Sequence, residues 1–174
     1  LYKLTTFIES IKDIEEKIDT INFIRTTIHE SRQLKHHQVD LVVWEKSNYI
    51  EKNDYNPNSI PTPEFQLLVT SIKEDGYTMP IYVNPEINKK TIIDGFHRRS
   101  VLLKEKDISQ STFNRLPITI SKEDKRDISN RMVSTIRHNR ARGNHDIDLM
   151  SEIVSELISI GKTDKWIMKN IGMD

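Results

Sequence analysis

The sequence predicts a mixed α/β (α+β) fold, in which a small mixed sheet packs with helices, followed by a helical region that begins a helix-turn-helix. Short runs rich in β-branched residues alternate with helical patterns up to residue 121, and beyond that point only helical periodicity remains. We expect three parts: an N-terminal helical extension over residues 1–37, the α/β domain over 38–121, and the helical region over 122–174.

Composition limits the classes of function. The chain has no cysteine, which excludes disulfides, thiolate metal sites and cysteine nucleophiles. No run of about 18 apolar residues occurs, so we expect no transmembrane helix. No signal peptide is visible, although residue 1 is Leu and the true N-terminus could lie upstream. A cytoplasmic protein fits these features best.

The N-terminal extension carries an apolar stripe at spacings of three and four, interrupted by Arg25. This predicts one long helix ending near Gln33, with the stripe formed by Leu4, Phe7, Ile11, Ile14, Ile18, Ile21 and Ile28. The stripe could pack on its own domain or form a homodimer contact. Its 3.5-residue period over about three heptads favours a second copy of the chain.

The predicted domain opens with a strand over residues 39–44 and then a dense turn signal over residues 53–58. Thr62 followed by Pro63 predicts a helix start, and Gly76 predicts its end. Its buried face would consist of Phe65, Leu68, Val69 and Ile72. Three further strands are expected over residues 79–83, 91–94 and 116–120.

The third strand leads into the most informative stretch of the chain, residues 91–99. Gly95 allows a sharp turn after Asp94, and the three adjacent basic residues His97, Arg98 and Arg99 fall in the first turn of a helix expected to reach about Lys106. A helix start with basic side chains is an anion site, which here suggests nucleotide phosphates. Asp94 would cap the helix or hold a metal ion. The alternative is an ordinary corner with a solvated basic rim.

The net charge of zero conceals three differently charged segments. Residues 1–96 carry a balance of −4, residues 97–142 of +7 and residues 143–174 of −3. Clustered arginines favour bidentate contacts with phosphate. A capping-box pattern from Ser121 to Asp124 predicts a helix through about Asn139, near whose end lie Arg137, His138, Asn139, Arg140 and Arg142. Part of this cluster would suit a helix C-terminus without any function.

Two more helices are expected near the end of the chain. The first spans about residues 146–160, with Gly161 as its C-cap, and its inward face would consist of Ile147, Met150, Ile153, Val154, Leu157 and Ile158. The second starts at Thr163 and Asp164 and stops at residues 171–174. We interpret this as an unfinished helix-turn-helix whose reading helix lies beyond Asp174.

Taken together, these motifs resemble the ParB/sulfiredoxin superfamily over about residues 39–174. The resemblance rests on the order of the Asn-Pro turn, the helix ending at Gly76, the strand with residues 80–83, and the Asp94-Gly95-Phe96-His97-Arg98 corner. The run over residues 54–58, this corner and the run over residues 140–145 are similar to the stand-alone ParB homologues typified by IbrB, which are described as transcriptional co-activators.

The resemblance implies a nucleotide site. In ParB proteins a Gly-Glu-Arg-Arg turn and an Asn-x-x-Arg element hold the triphosphate of CTP. Here they correspond to residues 95–98 and residues 139–142. Phe96 replaces the acidic residue of the turn, and His138 stands where ParB has a Glu associated with metal and hydrolysis. Sulfiredoxins have their catalytic Cys at the position of Phe96, which excludes that chemistry.

We therefore expect a nucleotide-responsive DNA-binding protein, acting as a transcriptional regulator, co-activator or partition-like factor. Its cofactor would be a nucleoside triphosphate, CTP or ATP, with Mg²⁺ as an option, held by Gly95, His97, Arg98, Arg99, His138, Asn139, Arg140 and Arg142. DNA would contact Arg137, Arg140, Arg142 and Lys165. The resemblance also implies a protein partner similar to phosphoadenosine-phosphosulfate reductase.

The alternative is an enzyme of the same fold: a nuclease, an NTPase or an ATP-dependent small-molecule kinase. The free-serine kinases of this fold share an Asp-Gly-His-His-Arg corner, which Asp94 and His97 match. In that case Asp94 and His97 would be catalytic, and Asp94 would also be the metal ligand.

Overall fold

The computed structural model describes residues 2–53, 61–122, 127, 129–130, 132–135 and 147–171. Two N-terminal helices, α1 (Tyr2–Ser10) and α2 (Ile14–Glu30), precede a domain of five strands and three helices. These elements are β1 (Val43–Lys46), β2 (Ile50–Glu51), α3 (Thr62–Asp75), β3 (Ile81–Pro85), β4 (Lys90–Asp94), α4 (Phe96–Lys104), α5 (Lys106–Ser111) and β5 (Arg115–Ile120). The helices α6 (Ile147–Ser159) and α7 (Asp164–Ile171) follow.

The five strands form one mixed sheet in the order β1-β5-β3-β4-β2. β1 pairs antiparallel with β5, and β3 pairs antiparallel with β4. The pairs β3–β5 and β2–β4 are parallel. The predicted mixed α/β fold is therefore confirmed, and strand β4, which leads into the 94–99 corner, lies inside the sheet rather than at its edge.

Apolar side chains of the sheet and of α4 form the main core. Its buried members are Ile50, Ile81, Val83, Ile92, Leu102, Leu116 and Ile118. A second cluster joins α3 to α4 and α5 through Phe65, Val69, Ile72, Val101 and Ile108. Because Val101 and Leu102 are neighbours on α4, that helix is packed on two sides, and its first turn is held firmly beside the sheet.

The C-terminal part has a core of its own. Met132 and Val133 are helical and completely or almost completely buried, and they cluster with Leu157 of α6 and Ile167 of α7. Gly161, between α6 and α7, has a positive φ of 82°, as expected of a glycine that ends a helix. Ile158, predicted to face inward, is instead 51% exposed, so the inward face of α6 is narrower than predicted.

Several predicted boundaries were wrong. The single N-terminal helix is broken over residues 11–13, because the carboxylate of Asp13 accepts a hydrogen bond from Glu16 N at 2.8 Å and starts α2. The helix expected to reach Lys106 ends at Lys104, and α5 begins after Glu105. The first strand begins at Val43, after a 3-10 turn at Gln38–Asp40.

Within the described ranges, no helix has the length and apolar character needed to cross a membrane.

Helix α2 lies along strand β1 at the edge of the sheet. The side-chain amide of Asn22 donates to Trp44 O at 2.8 Å, and its oxygen accepts from Trp44 N at 3.0 Å. These are the two bonds that a neighbouring strand would make, so Asn22 covers the exposed edge.

Candidate functional site

The corner after β4 is built by Gly95. Its φ of 103° is in the left-handed region that favours glycine, and it lets the chain pass from the strand directly into α4. Arg99 N donates to Gly95 O at 3.1 Å, which closes the first turn of the helix. The three basic side chains of residues 97–99 therefore lie in the first turn of α4, as predicted, at the positive end of the helix dipole.

Arg98 is held inside the corner by Asp94. The two side chains are only 14% and 11% exposed, and Arg98 Nη2 lies 3.2 Å from Asp94 Oδ2. The same nitrogen donates to Pro80 O at 3.2 Å, on the turn before β3. Arg98 therefore links the end of β4, the start of α4 and the start of β3, and Asp94 is bonded to an arginine of its own corner.

His97 and Arg99 are each about half-buried beside Arg98. Burial lowers the pKa of His97 below its ordinary 6.5, and the positive charge of Arg98 lowers it further, while Asp94 acts in the opposite direction. Burial also lowers the pKa of Arg99, against the attraction of Glu51. Arg99 Nε is buried and has no hydrogen-bond partner within the part of the chain that the structure describes. Both side chains would therefore gain from an anion at this corner.

Two residues that the sequence analysis did not single out contact β4 close to the corner. Asn53, which follows β2, donates to Ile92 O at 2.8 Å, and its Oδ1 is buried without a partner among the described residues. Thr135, in the helical stretch before the C-terminal helices, donates to Ile93 O at 3.1 Å. Asn53 begins the dense turn run, which is a signal of turn structure, whereas no local pattern distinguishes Thr135.

The corner is also connected to the opposite side of the domain. Tyr77 Oη donates to Arg98 O at 3.1 Å, and burial raises the pKa of Tyr77 well above its ordinary value. The ring of Tyr77 makes an edge contact with Trp44 of β1, with centroids 6.4 Å apart. A partly buried, neutral tyrosine thus fixes the backbone of α4 at the residue that also holds Asp94.

The remaining predicted site residues belong to the C-terminal part of the chain. Arg137, His138, Asn139, Arg140 and Arg142 lie outside the described residues. Lys165 is exposed on α7. Across the described ranges, no group of three or more His, Cys, Asp or Glu side chains could hold a metal ion.

Comparison with known proteins gives the family. The chain is 41% identical over 172 residues to the protein YbdM of Escherichia coli (strain K12), and the match covers 98% of this chain and 80% of YbdM. The chain belongs to the YbdM family. Residues 145–174 also match a family described as the IbrB-like C-terminal HTH domain. The predicted similarity to IbrB-like proteins with a helix-turn-helix is confirmed by this match, and α6 and α7 of this YbdM-family protein lie within the matched stretch.

Solved structures similar to the chain include the C-terminally truncated chromosome-partitioning protein ParB of Caulobacter crescentus. Its complex with CTP-γ-S is 18% identical, with a TM-score of 0.44, and the match covers 76% of this chain and 72% of that one. Its complex with the centromeric parS site is 15% identical, with a TM-score of 0.49, and the match covers 75% and 65% respectively.

Proposed function

We propose that this protein is a DNA-binding transcriptional regulator whose DNA-binding region responds to a nucleoside triphosphate bound at the 94–99 corner. A partition-like role would use the same nucleotide binding and the same DNA binding. The proposal has three components: a phosphate site at the start of α4, a contact that carries its state to the C-terminal helices, and a DNA surface on those helices.

The phosphate site would use the backbone of the α4 N-terminus together with His97 and Arg99. A glycine turn followed by a helix start presents N–H groups and a partial positive charge to an anion. Arg98 adds a fixed positive charge, although its terminal nitrogen already serves Asp94 and Pro80 O. The geometry of the corner would thus depend on Arg98, while the phosphate would take its most direct side-chain contacts from His97 and Arg99.

One contact carries the proposed response: the hydrogen bond from Thr135 to Ile93 O, two residues before the corner glycine. Thr135 is 1% exposed, and the same helical stretch contributes Met132 and Val133 to the core shared with α6 and α7. A ligand that shifts the end of β4 would therefore act directly on the segment that supports the helix-turn-helix. Between these elements lie residues 136–146, which include the proposed phosphate ligands His138, Asn139, Arg140 and Arg142.

DNA would bind through the helix-turn-helix region. Lys165 is exposed in the first turn of α7 and is available to a phosphate of the duplex. Arg137, Arg140 and Arg142 would add further phosphate contacts, since they belong to the basic segment over residues 97–142. Arg140 and Arg142 would then be shared between nucleotide and DNA, which would make the two ligands dependent on each other.

The enzyme hypothesis receives less support from the corner. A catalytic base or a metal ligand needs an accessible carboxylate, but Asp94 is mostly buried and bonded to Arg98. Mg²⁺, where it takes part, would arrive with the triphosphate and be held largely by phosphate oxygens and water. We therefore assign Asp94 to holding the corner together rather than to turnover.

Protein partners would use the N-terminal helices. Helix α1 has no buried residue, and three of its large apolar side chains, Tyr2, Leu4 and Phe7, are exposed. We propose that the face with Leu4 and Phe7, which are three positions apart on the helix, forms the homodimer contact. A partner similar to phosphoadenosine-phosphosulfate reductase remains the second option for the same face.

The experiment that tests the function is a calorimetric titration of the protein with ATP, CTP, GTP and ADP, followed by the fluorescence anisotropy of a labelled duplex with and without the bound nucleotide. We expect one triphosphate to bind and to change the affinity for DNA. Arg99→Gln should weaken the binding of the nucleotide, and Lys165→Gln should weaken only the binding of DNA. Lys106→Gln, at an exposed lysine of α5, is the control for loss of charge. Absence of binding by every nucleotide would refute the proposal.

A further inference from the structure

A groove separate from the corner lies between α2 and the turn over residues 111–113. Its apolar walls are Ile18 and Ile21 of α2, Trp44 of β1 and Phe113 of the turn, and its volume is about 250 Å³. Among the described residues, Arg25 is the one charged side chain that lines it. We call it the α2 groove. It shares no lining residue with the corner, so its ligand can be tested independently of the proposed function.

Phe113 is held in the groove wall at the cost of backbone strain. Its φ of 54° is unusual for a bulky residue, and Asn114 follows with a φ of 56°. The turn is fixed on both sides, because Asn114 N donates to Ser109 O at 2.8 Å and Ser47 N donates to Asn114 O at 2.9 Å. Strained residues that the surrounding structure holds in place cluster at ligand sites, and here the strain keeps an aromatic ring, 47% exposed, at the groove.

Arg25 supplies a charge that the described structure does not neutralise. Its Nη1 donates to Val42 O at 3.3 Å, and no carboxylate among the described residues lies within ion-pair distance of it. Arg115, on the same side of the domain, shows the contrast: its two terminal nitrogens each lie 2.6 Å from a carboxylate oxygen of α2. Arg25 also interrupts the apolar stripe of the N-terminal sequence and is exposed, so its guanidinium is open to a carboxylate from solution.

We propose that the α2 groove binds a small aromatic carboxylate, with the ring between Trp44 and Phe113 and the carboxylate on Arg25. Aromatic rings pack favourably edge-to-face or offset against other rings, and a guanidinium pairs with a carboxylate through two parallel hydrogen bonds. The volume limits the ligand: pockets for drug-sized molecules span roughly 300–1,000 Å³. The α2 groove is smaller, so it suits one ring with a short acidic tail and excludes a nucleotide.

The test uses 3-phenylpropionate as the probe and the fluorescence of Trp44 as the readout. The Trp166→Phe variant of the full chain removes the second tryptophan and leaves Trp44 as the sole reporter. We expect a saturable change in emission, with a dissociation constant of about 1 mM or tighter. The uncharged 3-phenylpropanamide should bind at least about tenfold more weakly, since it cannot pair with Arg25 as an ion.

Two variants of the groove, with one control, separate an effect on ligand binding from an effect on folding. Arg25→Gln should weaken 3-phenylpropionate at least about tenfold, whereas Lys17→Gln on the same helix should leave its affinity unchanged. Phe113→Asn removes the ring but keeps a residue that tolerates positive φ, so it should also weaken the ligand at least about tenfold while the melting temperature does not fall. No saturable signal, equal binding of the amide, or unchanged binding in either groove variant would overturn the proposal.

Discussion

The guanidinium of Arg98 lies against the position at which a side chain on residue 95 would begin. Arg98 Nη2 is 2.9 Å from the position that a Cβ would have on Gly95, and Ile81 Cγ1 is 3.1 Å from it. Position 95 therefore requires glycine for two reasons: the backbone has a positive φ, and Arg98 occupies the space that a side chain would need. The pair explains why Arg98 can reach back to Asp94 and Pro80 O and hold the corner together.

The first prediction compares two glycines with positive φ. Gly95→Ala introduces backbone strain and a contact that forces Arg98 to move, whereas Gly161→Ala, at the left-handed end of α6, introduces strain alone, because nothing lies within 4 Å of its Cβ position. Strain of this kind costs about 1–3 kcal/mol. We expect Gly95→Ala to lower the free energy of unfolding by at least about 1 kcal/mol more than Gly161→Ala does, measured by urea denaturation. Equal losses would show that Arg98 is not confined by Gly95.

The second prediction concerns the pH dependence of His97. Its pKa in the folded protein is lowered below 6.5 by burial and by Arg98, so the unfolded chain takes up the proton first as the pH falls. The free energy of unfolding should therefore decrease as the pH drops through 6.5, and this decrease should be smaller in His97→Gln. Denaturation midpoints at several pH values would measure it.

The same titration has the opposite effect on a bound phosphate. If His97 contacts the phosphate, binding favours the imidazolium, so the affinity of the wild type relative to His97→Gln should rise several-fold from pH 7.5 to pH 6. Dividing the affinity of the wild type by that of His97→Gln at each pH cancels the titration of the nucleotide itself, because it affects both proteins equally. A ratio that stays constant with pH would show that His97 does not touch the ligand.

The third prediction distinguishes a binding protein from an enzyme at Asp94. Asp94→Asn removes the charge that faces Arg98 and should lower the free energy of unfolding by about 1–3 kcal/mol. Asp75→Asn, at an exposed carboxylate of α3, should have little effect. Phosphate release assays should show no nucleotide hydrolysis by either the wild type or the variant. Robust hydrolysis by the wild type that disappears in Asp94→Asn would favour the enzyme hypothesis.

The corner and the helix Thr62–Asp75 were predictable because their determinants are local. A β-branched strand end, a glycine and a basic helix start lie within nine residues, and Pro63 and Gly76 define the limits of α3. Strand β2 was missed, since its two residues, Ile50 and Glu51, depend on pairing with β4 rather than on a pattern of their own. The contacts of Asn53 and Thr135 with β4 were also missed, because they join residues about forty positions apart.

Arg115 is the clearest case of a role that local sequence does not reveal. It counts toward the basic segment, yet its side chain is only 2% exposed and is paired with Glu15 and Asp19 of α2 at 2.6 Å each. Burial acts to lower the pKa of Arg115, but the two carboxylates outweigh it and leave that pKa raised. Its positive charge, counted toward a phosphate-binding segment, instead forms two ion pairs that hold α2 against the sheet.

This arrangement determines how an N-terminal dimer can be tested. Deleting residues 1–34 would leave Arg115 without Glu15 and Asp19, and Trp44 without the two hydrogen bonds from Asn22. A buried charge without its partners is strongly destabilising, so the deletion would damage the domain as well as any interface. Substitutions confined to the exposed face of α1 avoid this problem.

The last prediction is that α1 forms the dimer contact. The break at residues 11–13 divides the apolar stripe, so a continuous coiled coil over three heptads is not available, but α1 still exposes Phe7 (54%) and Leu4 (39%). An apolar face of this kind on a short helix is expected to be covered by another surface. The wild type should therefore be a dimer by light scattering at micromolar concentration, and the double substitution Leu4→Gln with Phe7→Gln should give a monomer of unchanged secondary structure. Leu67→Gln, at a still more exposed position on α3, should leave the dimer intact. A monomeric wild type would mean that the N-terminal helices serve only to cover the β1 edge of their own sheet.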